Sequence, residues 1–142
     1  MLQQVQHDKK NMKHVYNILF GFTLMSLVAC EGKTLVEKKI VNESSSEITF
    51  EITYKTGDVQ EHIVEANSTV IISSTEELGG KEDIGTCTEP IEEIRTFIPL
   101  GRSLSFDPSD ASFWVKKTER TKRIPKTFAH TCTLTIKEDD IQ

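Results

Sequence analysis

A chain of 142 residues, 37% of them hydrophobic and 27% charged, has room for one domain with a substantial core. Its formal net charge of −5 at pH 7 excludes a general nucleic-acid binder, since an acidic surface repels a polyanion. The charge is uneven: residues 31–100 carry 15 acidic and 6 basic side chains, whereas residues 101–142 carry 6 and 8.

The first element is an apolar run, residues 15–29 (VYNILFGFTLMSLVA), interrupted by Asn17, Gly21, Thr23 and Ser26. It falls short of the roughly 20 apolar residues that a membrane-spanning helix needs. Lys9, Lys10, Lys13 and His14 precede it and small residues close it, which is the layout of an export signal over residues 1–29. Met12 offers a second start that keeps this layout and makes it more compact. The closing Leu27-Val28-Ala29-Cys30 resembles the lipobox of bacterial lipoproteins. That resemblance implies that Leu27 fills an apolar subsite of the signal peptidase and that Ala29 precedes the cut. Cys30 would then become the first residue, with diacylglycerol on its sulfur and an acyl group on its amine. Several chains are needed for lasting attachment, because one gives only marginal membrane binding. The plainer alternative is a secretory signal that happens to contain a cysteine. On the lipoprotein reading the domain belongs to the cell envelope and is expected at the outer membrane.

Three cysteines in an exported chain leave one thiol over. Assigning Cys30 to lipid leaves Cys87 and Cys132 as an even pair in an oxidising compartment, which predicts a disulfide between them.

After a short tether, residues 30–34, the domain is expected over residues 35–142, beginning with strands. ITFEITYK (48–55) alternates strictly, with Ile48, Phe50, Ile52 and Tyr54 on one face, and reads as a half-buried strand. NESSSE before it and KTGD after it are turn chemistry. VQEHIVEA (59–66) returns as a hairpin, and VIISS (70–74) follows the turn NST. Residues 75–90 lack an apolar period and read as a long loop holding Cys87. IEEIRTFIPL (91–100) is ambiguous: Ile91, Ile94 and Ile98 have helical spacing, while Thr96-Phe97-Ile98 reads as strand. SLSF (103–106), the turn DPSD and ASFWVK (111–116) suggest a second hairpin. TFAHTCTLTIK (127–137) is the clearest strand, with Phe128, His130, Cys132, Leu134 and Ile136 on one face.

Seven or eight short strands predict an all-β fold, an antiparallel sandwich of immunoglobulin-like or similar architecture with one disulfide. KKIVNESSSEITFEITYKTGDVQEHIVEANSTVII and the closing CTLTIKEDDI resemble a group of small uncharacterised lipoproteins of Bacteroides-like bacteria. That resemblance implies a β-sandwich of unknown role. Members exposed at the cell surface often carry acidic residues just after the lipidated cysteine. Here Glu31 is followed by Gly32 and Lys33, which keeps the periplasmic side open.

Candidate sites are few. His130 and Cys132 share a strand face, and Cys87 with a carboxylate would complete a zinc set, but structural zinc ligands usually come as two close pairs. The disulfide is the stronger reading, with no metal and no cofactor. His62 and His130 are the two histidines beyond the signal, and no nucleophile elbow accompanies them. GGK (79–81) lacks the Ser or Thr of a phosphate loop. The sequons Asn42-Glu43-Ser44 and Asn67-Ser68-Thr69 read as turn residues behind a bacterial signal. KKTERTKRIPK (116–126) is the sharpest charge feature. Lys116, Lys117, Arg120, Lys122, Arg123 and Lys126 form either a solvated hairpin loop or a patch for an anionic lipid, glycan or envelope partner. The sequence thus reads as a lipid-anchored envelope module that binds a partner and does no chemistry. The alternatives are a small inhibitor of lysozyme or of a protease, and an enzyme of unknown class.

Overall fold

The computed structural model describes residues 31–142, so the expected export signal and Cys30 lie outside the described residues. Seven strands are present there: β1 (Lys33–Asn42), β2 (Ile48–Tyr54), β3 (Val59–Val64), β4 (Ser68–Leu78), β5 (Ile91–Phe97), β6 (Trp114–Lys122) and β7 (Thr127–Ile136). One sheet has the order β4-β1-β7-β6 and the other β3-β2-β5. Packed on each other, they form the expected all-β sandwich, and Cys87 is joined to Cys132. No helix among the described residues is long and apolar enough to cross a membrane.

One pair departs from the antiparallel expectation. β1 runs parallel to β7, with Lys33 opposite Thr127 and Asn42 opposite Ile136. Side chains alternate with period two in either direction, so the pattern of a strand does not reveal which way its neighbour runs.

The inward residues of β1, β7 and β6 line up in rungs. Ile40, Leu134 and the Trp114 layer form an apolar rung, fully or nearly buried, against Ile48, Phe50, Ile52, Val64 and Ile94 of the small sheet. Toward the start of β1 the rungs become polar: Lys38 beside Cys132 and Lys116, then Val36 beside His130 and Thr118, then Thr34 beside Phe128 and Arg120. At the opposite end, Asn42 is buried with its side-chain amide donating to the carbonyls of Ser46, Val64 and Glu65. Its Oδ1 accepts from the amide and hydroxyl of Ser44, which explains the NESSSE turn.

Four expectations change on folding. β1 starts at Lys33, so among the described residues Glu31 and Gly32 are the part of the tether that precedes it. β4 continues to Leu78, through residues that read as loop, because β1 supplies a backbone partner for each residue from Ser73 to Leu78. That stretch is an exposed edge with little apolar surface to mark it. The three-residue spacing of Ile91 and Ile94 comes from a strand. A register shift places Glu93 opposite Thr53 but Ile91 opposite Tyr54, and this β-bulge turns both isoleucines inward. The hairpin over 103–106 and 111–116 does not form. Leu104 instead bridges to Ile141, Ser103 exchanges backbone hydrogen bonds with Gln142, and β6 pairs with β7.

Candidate functional site

The segment between β4 and β5, residues 79–90, runs back over the polar rungs, and an irregular chain there brings carbonyls that need donors. The inward side chains supply them. Thr34 donates its hydroxyl to the Gly79 carbonyl and accepts from the Lys81 amide. His130 Nε2 lies 2.8 Å from the Lys81 carbonyl and Nδ1 lies 2.9 Å from the Thr118 hydroxyl. A carbonyl only accepts, so Nε2 carries the proton and, in the neutral ring, Nδ1 accepts from Thr118. Lys38 donates to the Cys87 carbonyl, and Lys116 Nζ reaches both Asp83 (2.7 Å) and the Gly85 carbonyl (2.8 Å). The Cys87–Cys132 bond closes the same seam.

Both sulfurs of the zinc set considered above are therefore engaged in the disulfide, and His130 is 1% exposed with both ring nitrogens bonded. The Lys116 contact holds the Asp83 carboxyl below the usual carboxylate range. His62, in the other sheet, has a buried Nε2 with no partner, and burial lowers its pKa.

Beside this seam lies a half-open cleft of about 520 Å³, lined by Val36, Lys38, Tyr54, Ile84, Glu89 and Pro90 among others. Its apolar wall comes from Val36, Ile84, Pro90 and the Tyr54 ring. Its charged groups are the Lys38 amine, 6% exposed, the Glu89 carboxylate, and the ion pair of Lys81 with Glu77. Burial pulls the Lys38 pKa down to about 8, and Glu89 offsets part of that by favouring the cation. An apolar wall beside charges of both signs suits a ligand with an apolar body and polar ends.

The six basic residues of 116–126 do not form one loop. They occupy an edge strand and a tight turn, and the strand sends them to different places. Lys116 faces inward to Asp83. Lys117 points to the outer face and pairs with Glu119 at 2.6 Å. Arg120 lies over the Phe128 ring, 5.9 Å from its centroid. Lys122, Arg123 and Lys126 gather at the β6–β7 turn, where among the described residues none has an ion-pair partner. Trp114 is core and donates to the Pro108 carbonyl (2.9 Å), and Phe113 stacks on Phe106.

Sequence reasoning passed over the cleft residues Lys38 and Glu89. The signal for Lys38 was its place between Val36 and Ile40 in a period-two series, where the inward position holds a cation. Glu89 carried no such mark, since only the fold of 79–90 brings it near Lys38. Family models, curated proteins and solved structures offer no match to the chain.

Proposed function

We propose that this protein is a lipid-anchored component of the bacterial cell envelope whose sandwich is a non-enzymatic binding module, with its ligand held in the Lys38–Glu89 cleft. The observation that carries the reading is Leu27-Val28-Ala29-Cys30 directly ahead of a fold that starts at Lys33, with the other two cysteines spent on each other. That pairing accounts for two of the three cysteines of the sequence, Cys30 being the third. The binding role draws support from the cleft, which has an apolar wall and charges of both signs at Lys38, Lys81, Glu77 and Glu89. The non-enzymatic role draws support from His130, whose Nε2 is committed to the Lys81 carbonyl of the 79–90 segment and whose Nδ1 is committed to Thr118 of β6.

Mass spectrometry of the protein from its native membrane tests the anchor: Cys30 should be the first residue and triacylated, and an unmodified Cys30 would overturn it. Photo-crosslinkers placed at Ser73 in the cleft and at Leu100 on the far end test the site. The cleft probe should capture a ligand that the Leu100 probe does not. Equal labelling from both positions sinks the cleft.

A further inference from the structure

The end of the sandwich where β1 begins has a composition of its own. The Lys126 carbonyl is wedged between two glycines. A Cβ on Gly32 would lie 1.6 Å from it and one on Gly80 would lie 2.3 Å away, so no larger residue fits either position. The Lys33 amide donates to the same carbonyl (3.1 Å), and the Gly79 amide donates to the Gly32 carbonyl (2.7 Å). The β6–β7 turn is thereby held beside the point where the fold begins.

At the apex of that turn Ile124 is 88% exposed, followed by Pro125. Lys122, Arg123 and Lys126 surround it. Other cations of this region are matched within the protein, Lys33 by Glu76, Lys81 by Glu77, Lys116 by Asp83 and Lys117 by Glu119. The carboxylates left here are Glu31 and Glu82, the latter lining a hollow with Arg120 and Lys126. Set against Arg120, Lys122, Arg123 and Lys126, they leave this end positive on a chain of net charge −5.

One exposed isoleucine is ordinary surface. An isoleucine ringed by cations that form no ion pair among the described residues, at the end where a lipid would hold the chain, has a different reading. We propose that the β6–β7 turn is a bilayer-contacting tip, in which Ile124 and Pro125 enter the headgroup–acyl boundary and Lys122, Arg123 and Lys126 lie against anionic lipid phosphates. The proposal rests on the lipid-anchor reading and adds a second contact that fixes how the domain stands on the membrane. Long basic side chains suit this layer, since their stems lie along apolar surface while the charge stays in water. Three of them near an anionic surface shift partitioning on the order of 100-fold. An anionic bilayer is favoured over an acidic protein because the apex is apolar and the cations are at its rim.

The opposite end provides an internal control. Leu100 is 93% exposed, and its neighbour Arg102 bonds Ser46 (2.6 Å) near Asn42, at the far end of the ten-residue β1, roughly 30 Å away.

The test uses the full-length protein purified in its membrane-processed form and reconstituted into vesicles of phosphatidylcholine with or without phosphatidylglycerol. Ile124→Trp and Leu100→Trp variants are read by brominated-lipid quenching, with the buried Trp114 of the parent protein as background. Trp at 124 should be quenched in phosphatidylglycerol vesicles and should recover at high salt, while Trp at 100 should stay unquenched. Adding Lys122→Ser, Arg123→Ser and Lys126→Ser to Ile124→Trp should remove the quenching. Equal quenching at the two ends, or none at 124 while mass spectrometry shows a lipidated Cys30, overturns the tip. If Cys30 is unmodified, the anchor reading fails separately. The tip is then judged by flotation of the same chain with phosphatidylglycerol vesicles, where loss of binding in the triple variant supports it and unchanged binding overturns it.

Discussion

Two halves of one sheet face are built on opposite principles. Where β1 and β7 face the small sheet, the inward residues are Ile40, Leu134 and Ile136, all fully buried, and the neighbouring layer is apolar. Where they extend beyond it, the inward residues include Thr34, Lys38 and His130 among Val36, Phe128 and Cys132, and the neighbouring layer is the irregular segment 79–90. A sheet covers a sheet with side chains because its backbone groups are already paired. A loop brings unpaired carbonyls, and an apolar face beneath them would leave each one costing roughly 1–3 kcal/mol. Polar rungs are the consequence. The apolar half thus serves stability, while the polar half carries the cleft.

The largest effect expected from testing this contrast lies in the apolar half. Leu134→Ala leaves a void between two sheets that cannot close it, and should lower unfolding free energy by about 2–5 kcal/mol in urea titration, with one cooperative transition. A loss well under 1 kcal/mol would mean that the apolar rung is not the seat of stability.

Removing the disulfide addresses the polar half. Cys87→Ala with Cys132→Ala frees a loop of sequence separation 45 and should lower stability by about 2–4 kcal/mol. Hydrogen exchange should show the amides of 79–90 losing protection before those of β7. Uniform loss across both halves would argue that the seam is as much core as the apolar rung.

The smallest effect is a dependence on pH. The Lys38 pKa is about 8 when folded, below the ordinary lysine value of 10.5. Between these values the unfolded chain binds the proton and the folded one does not, so this group makes stability rise as pH increases from about 8 to about 10.5. The slope from one such group is at most about 1.4 kcal/mol per pH unit. Lys38→Met should remove that rise relative to the parent protein, measured by urea unfolding at pH 7.5, 9 and 10. Parallel pH curves for the two proteins would place the Lys38 amine in water.

Period-two alternation was enough to locate β2 and β7, because a strand buried on one face must write that face into every second residue, and the KTGD turn placed β3 as the hairpin return. Cysteine parity was enough to pair Cys87 with Cys132. The sequence also determined the sandwich class, through the number of short strands and the turn residues between them. Tertiary structure decided the rest. The parallel course of β1 beside β7 leaves no local trace, since alternation is blind to a neighbour's direction. The outer reach of β4 depends on hydrogen bonds from β1, and its exposed side chains carry no period to betray it. Ile91 and Ile94 imitate a helix because one bulge adds one residue to the spacing. The cleft was least legible, because Lys38 and Glu89 stand 51 positions apart in the chain and meet only when residues 79–90 fold back over the sheet.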